Sequence, residues 1–123
     1  MLLTPHVLLG LYLAANYSPW IALPAALISH FLFDFFYPHW NPHLFTEKKK
    51  HGQLSRSTLL IIILDSTLAL SLALFFAIQA STINQAIILM AGATLAILPD
   101  FAEIPFYFFN SQNKIMRKII NLL

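Results

Sequence analysis

Long runs of apolar residues broken by short polar punctuation dominate this chain. Thr4 and Pro5 carry a helix-start signal, a side-chain cap followed by proline at the first helical position. They predict a first helix over about 5–16, short at roughly 20 Å. Ser18-Pro19 repeats the signal and opens a second helix over about 19–37, stopped by Pro38. A polar segment, 38–56, follows. A third helix is expected over about 57–79, a tight turn at Ser81-Thr82-Ile83-Asn84, and a fourth helix over about 84–109, with kinks expected at Pro99 and Pro105. In 110–123, Lys114, Arg117 and Lys118 oppose Ile115, Ile119, Ile120 and Leu122, the pattern of an amphipathic helix lying on a membrane surface.

Composition narrows the class. The 123 residues are 59% hydrophobic and only 10% charged. A small soluble domain buries too little of its surface to hide that much apolar area, and disorder needs the opposite balance. The expected fold is an all-α integral membrane protein: a four-helix transmembrane bundle in a single domain, with a short first helix and the surface tail. Helices two to four reach the roughly 20 residues that a bilayer requires. The first either thins the membrane or is re-entrant. With no cysteine there is no disulfide framework and no thiol nucleophile. The start of the chain lacks the basic region of a secretory signal, so no cleaved leader is expected.

Charge placement suggests an orientation. All 7 Lys and Arg residues lie in the 38–56 segment (Lys48, Lys49, Lys50, Arg56) or in the tail. The positive-inside rule then puts both segments, and both termini, in the cytoplasm of a multi-pass inner-membrane protein. These few cations suit anionic lipid headgroups rather than nucleic acid. Tyr12, Tyr17 and Trp20 would mark the outer interface, and Trp40, Tyr107, Phe108 and Phe109 the inner one.

The candidate chemistry is intramembrane. Asp34, Asp65, Asp100 and Glu103 all fall inside apolar segments, and no Lys or Arg lies within a segment to pair with them. Each carboxylate near a bilayer centre costs about 2.5–3.5 kcal/mol on insertion scales. At 1.5 Å per residue from the cytoplasmic helix ends, Asp34 lies about 6 Å deep, His30 about 12 Å, Asp65 about 13 Å, Glu103 about 10 Å and Asp100 about 15 Å. His6 lies in the first turn of its helix. The ionisable groups of all four helices therefore share one layer. His30 and Asp34 share a face at i, i+4, and Asp100 and Glu103 at i, i+3. Small-residue stripes (Gly10 with Ala14; Ala69, Ala73 and Ala77; Gly92 with Ala96) let the helices approach closely.

Imidazoles and carboxylates converging without a cationic side chain suit a divalent metal, with zinc favoured over iron or manganese and room for one or two ions. The expected ligands are His6, His30, Asp34, Asp65 and Asp100. Glu103 or His39 would serve as general acid or base near the surface, and Lys48, Lys49 and Arg56 would attract an anionic headgroup. Structural roles compete with each assignment: Asp65 can bond nearby backbone, His30 can be a satisfied core histidine, and Asp100 can cap backbone freed by Pro99.

Thr4-Pro5-His6 with Gly10, Ser29-His30-Phe31-Leu32-Phe33-Asp34 with Pro38-His39-Trp40, and Leu98-Pro99-Asp100 with Glu103 together resemble the bacterial membrane-bound metal-dependent hydrolases, a family itself similar to zinc-dependent phospholipase C. The resemblance covers helices one, two and four. It implies metal roles for His30, Asp34 and His39, and hydrolysis of a phosphoester or related bond in a lipid-like substrate. Where that family has a His-Arg-Gly-x-Thr-His-Ser segment, this chain has His51-Gly52-Gln53-Leu54-Ser55-Arg56-Ser57, with Arg56 in place of the second histidine. Two other classes compete with the enzyme: a small non-enzymatic membrane protein, packing or binding a partner and compatible with a homo-oligomer, and an ion or metal transporter. A transporter needs polar groups on both sides of the midplane, and here the outer half is nearly bare.

Overall fold

The computed structural model describes residues 2–36 and 55–109, with side chains as far as Ala102. The described residues form four helices and no strand: α1 Leu3–Asn16, α2 Pro19–Phe36, α3 Arg56–Ile78 and α4 Ile83–Phe109. The expected tail helix, Tyr37, and the 38–54 segment with His39, Lys48 and Lys49 lie outside the described residues.

Local chemistry sets the boundaries. Ser55 caps α3, its Oγ accepting the Thr58 amide at 3.2 Å, so the helix begins one residue before the expected Ser57. Thr82 caps α4 by accepting the Gln85 amide, while Gln85 Oε1 accepts the Ser81 amide at 3.1 Å. The pair of bonds resembles a capping box, with the Gln85 side chain reaching Ser81, one residue before the cap, rather than Thr82 itself. The Ser18 carbonyl accepts the amides of Ile21 and Ala22 and starts α2. Pro24 lies inside α2, which continues through it. α4 likewise runs unbroken through Pro99 and Pro105.

The start of α1 differs from expectation. Thr4 is not the cap; the helix begins at Leu3, after Leu2 in extended conformation, and no cap side chain serves it. Its first amides bond instead to Asp65 of α3: Leu3 N–H donates to Oδ2, and Thr4 N–H to Oδ1 at 3.3 Å. The Thr4 hydroxyl donates to the Asp65 backbone carbonyl at 3.1 Å. Pro5, next in the helix, has no amide proton to satisfy. A carboxylate from another helix thus replaces the local cap.

α1 and α4 form the centre of the bundle. α1 packs against the other three helices, and α4 also against α2 and α3. The closest approach is at two glycines. A Cβ on Gly10 would sit 2.9 Å from Ala96 Cβ, and one on Gly92 would sit 2.7 Å from the Gly10 carbonyl oxygen and 2.8 Å from Ala14 Cβ. As α1 advances from 10 to 14, α4 retreats from 96 to 92, so the pair is antiparallel. Short turns join α1 to α2 and α3 to α4, so α1 runs parallel to α3, and α2 parallel to α4. Val7, Leu11, Ala14, Ala69, Ala73, Leu89 and Ala93 fill the core. These residues are mostly small, so backbone approach takes the place of bulk as the source of packing, as is usual where helices associate without a hydrophobic driving force.

The outer surface is apolar. Trp20, Ile78 and Ile83 are more than four-fifths exposed, and α3 presents Leu60, Leu64, Leu68 and Phe75 outward. Outward hydroxyls are satisfied within their own helices: Thr67 donates to the Ile63 carbonyl, Ser71 to Thr67, and Thr94 to Met90, each at 2.7 Å. In hydrocarbon, where an unpaired polar group costs several kcal/mol, such internal bonds are required. Three helical stretches, Pro19–Phe36, Arg56–Ile78 and Ile83–Ala102, are long and apolar enough to cross a membrane. α1, with 14 residues, reaches about 21 Å, less than the roughly 30 Å hydrocarbon core.

Candidate functional site

The small-residue stripes do more than pack. On α1 the buried face runs Ala14, Gly10, His6; on α2 it runs Ala22, Ala26, His30. On α4 Gly92 and Ala96 are followed four residues on by Asp100, and on α3 Ala73 and Ala69 are preceded four residues back by Asp65. At four-residue spacing, each polar group lies on the same face as its helix's stripe. The stripes face inward, so the polar groups do too. The relative directions of the helices bring all four to the same end of the bundle, where α1 begins.

His6, His30, Asp34 and Asp100 form a cluster drawn from α1, α2 and α4. The imidazole rings of His6 and His30 lie 4.4 Å apart between centroids, tilted by 32°. His6 Nε2 is 3.5 Å from Asp34 Oδ1, His30 Nε2 is 3.4 Å from Asp34 Oδ2, and His30 Nε2 is 3.9 Å from Asp100 Oδ1. The imidazoles are almost completely buried, whereas the side chains of Asp34 and Asp100 are 42% and 24% exposed. The carboxylates thus stand at the opening and the imidazoles behind them.

One hydrogen bond sets the chemistry of His30. Its Nδ1 lies 2.9 Å from the Ala96 carbonyl oxygen. A carbonyl only accepts, so Nδ1 carries the proton and donates it. In the neutral ring, Nε2 then holds a lone pair, and that lone pair faces the two carboxylates. Backbone support of this kind is the usual outer-shell arrangement of a metal-ligating histidine. His6 has no such support: both of its ring nitrogens, and Asp34 Oδ1, are buried without a hydrogen-bond partner. Buried polar atoms left in that state are rare and call for an explanation.

The separations can be set beside two reference geometries. Direct N–H···O bonds fall at about 2.7–3.2 Å, and these contacts are longer. Two donors bound at about 2.0–2.1 Å in a tetrahedral zinc site stand roughly 3.3–3.4 Å apart. The two contacts to Asp34, each to a different carboxylate oxygen, lie near that spacing, while the Asp100 contact is wider. As they stand, no three His, Asp or Glu side chains among the described residues meet at one point suited to a metal ion.

The remaining candidates are placed as follows. Both Asp65 oxygens accept amides from α1, so the expected ligand serves instead to terminate a helix. Arg56 is exposed at the first position of α3, nine residues before Asp65 and about 13 Å from it along the axis. Glu103 lies within α4 beyond the last described side chain, and His39, Lys48 and Lys49 lie outside the described residues. Pro24 and the capping by Asp65 were missed from the sequence. The first could have been found from the proline inside an apolar run; the second is a tertiary contact without a local signature.

No family model, characterised protein or solved structure matches this chain.

Proposed function

We propose that this chain is a membrane-embedded, metal-dependent hydrolase that cleaves a phosphoester or related bond of a lipid-like substrate at the end of the bundle where α1 begins. The observation that carries the proposal is the cluster of two buried imidazoles and two part-exposed carboxylates drawn from three helices, with unbonded ring nitrogens on His6. His6 Nε2, His30 Nε2, Asp34 and Asp100 would hold one divalent ion, zinc being the best match to this mixed nitrogen and oxygen set. When bound, the ion supplies Lewis-acid polarisation of the substrate oxygen.

The chain's own residues do the rest. The bond from His30 Nδ1 to Ala96 fixes the tautomer and the ring plane, so Nε2 needs no reorganisation to bind. Glu103 and His39 are the candidates for general acid or base. Arg56, with Lys48 and Lys49, would draw an anionic headgroup toward the opening; each cation near an anionic surface is worth about 1 kcal/mol. All four helices would be set in the inner membrane, with the cluster end and both termini cytoplasmic and the 110–123 tail on the surface.

Metal analysis of the purified protein tests the site. The expected result is close to one equivalent of a divalent metal in wild type and a large loss in His30→Ala; no bound metal in either refutes it. Chelator-sensitive release of phosphate or headgroup from vesicles, restored by zinc, tests the reaction.

A second function class, a small non-enzymatic packing protein, is favoured by Asp65, both of whose carboxylate oxygens serve backbone amides. In a purely packing protein, Asp34→Asn and Asp100→Asn leave assembly and function intact. In the metal-site protein either change depletes metal while the helical content stays unchanged.

A further inference from the structure

α1 is the shortest of the described helices, and its residues carry no charged Lys, Arg, Asp or Glu side chain to hold it at a fixed depth. Its start is nevertheless bound by three hydrogen bonds to a single residue: Leu3 N–H and Thr4 N–H to the Asp65 carboxylate, and the Thr4 hydroxyl to the Asp65 carbonyl. Asp65 is the tenth residue of α3, so α1 begins about 13 Å inside the bundle end from which α3 starts. Pro5 removes a further first-turn amide that would need an acceptor there. His6 follows immediately, its ring against that of His30.

From this juxtaposition we infer that Asp65 is a positioning residue: it clamps the register of α1 against α3 and thereby holds His6 level with His30 and Asp34. The glycine crossing of α1 with α4 sets the distance between those helices. One residue of slip of α1 along its axis moves His6 by about 1.5 Å. That shift is comparable to half a ligand separation, so His6 leaves the cluster while His30, Asp34 and Asp100, on α2 and α4, remain.

The inference rests on the metal-site proposal for its functional meaning, and two separate readouts distinguish their failures. In the first, zinc affinity is measured for wild type, Asp65→Asn, His6→Ala and the double variant. Asp65→Asn is expected to weaken zinc by about 10–100-fold, the range typical of outer-shell losses, and to add little once His6 is absent. Equal losses with and without His6 overturn the positioning role. In the second, spin labels at Tyr17→Cys and Gln79→Cys, at the far ends of α1 and α3, report the register without any metal. A narrow distance distribution is expected in wild type and in His6→Ala, and a shifted or broadened one in Asp65→Asn. An unchanged distribution in Asp65→Asn overturns the clamp even if zinc binds. If wild type binds no zinc, the metal site fails, and the spin labels still decide the clamp. Thr4→Val, which removes only the hydroxyl bond, gives a milder shift in the same direction should Asp65→Asn fail to fold.

Discussion

Gly10→Ala is a one-methyl change at the tightest point of the bundle. The new Cβ would lie 2.9 Å from Ala96 Cβ and closer still to the Gly92 carbonyl oxygen. Ordinary carbon contacts stand at about 3.5–4.0 Å, so the helices must part by roughly 0.6–1.1 Å. Neither obstacle is the end of a flexible side chain. Overpacking of this kind costs about 1–3 kcal/mol, and the gain from replacing glycine in a helix offsets about 1 kcal/mol of it. The net expectation is a loss of about 0–2 kcal/mol, up to a roughly thirtyfold fall in the folded ratio. Gly92→Ala meets Gly10 O at 2.7 Å and Ala14 Cβ at 2.8 Å, so it should behave alike. The double variant should cost less than the sum, because helices already parted by one methyl accommodate the other. Reversible unfolding in mixed micelles measures all three, with the exposed Ala15→Gly giving the propensity term alone. If both single variants are stabilised by the full propensity gain, α1 and α4 do not cross at these glycines and the arrangement of the cluster above them is wrong.

Other outcomes follow from the same geometry. Cysteines at Ser81 and Ser111 should be labelled from opposite sides of sealed vesicles; labelling from the same side refutes four crossings. Replacing His30 by Asn, which retains a short donor but removes the imidazole Nε2, should abolish zinc binding with little change in helix content by circular dichroism. A variant that keeps full zinc affinity removes His30 from the site. Zinc-dependent cleavage of anionic-lipid substrates should fall on Arg56→Gln and should become less sensitive to added salt, since Lys48 and Lys49 remain; an unchanged salt dependence shows that Arg56 does not attract the headgroup.

Much of the helical pattern is legible from residue order because the bilayer-like apolar runs are long and proline or hydroxyl residues punctuate them. The shared depth of His6, His30, Asp34 and Asp100 is likewise legible, since axial rise converts position into depth and alternating helices bring opposite ends together. The stripes of Gly10 and Gly92 are visible as small-residue spacings; that they face each other is not, because spacing specifies a face without its partner. Asp65 shows the limit most clearly. As a partly buried acid on the correct level it resembles a ligand, but its two oxygens serve amides left open where α1 starts. Only the contact between α3 and α1 shows that Thr4 has ceded its cap to another helix.

Anomalous diffraction from zinc-soaked crystals tests the central claim most directly. A single strong peak is expected at about 2.0–2.2 Å from His6 Nε2, His30 Nε2 and one carboxylate oxygen each of Asp34 and Asp100. Crystals that take up no zinc there, or only at exposed surface positions, would contradict it.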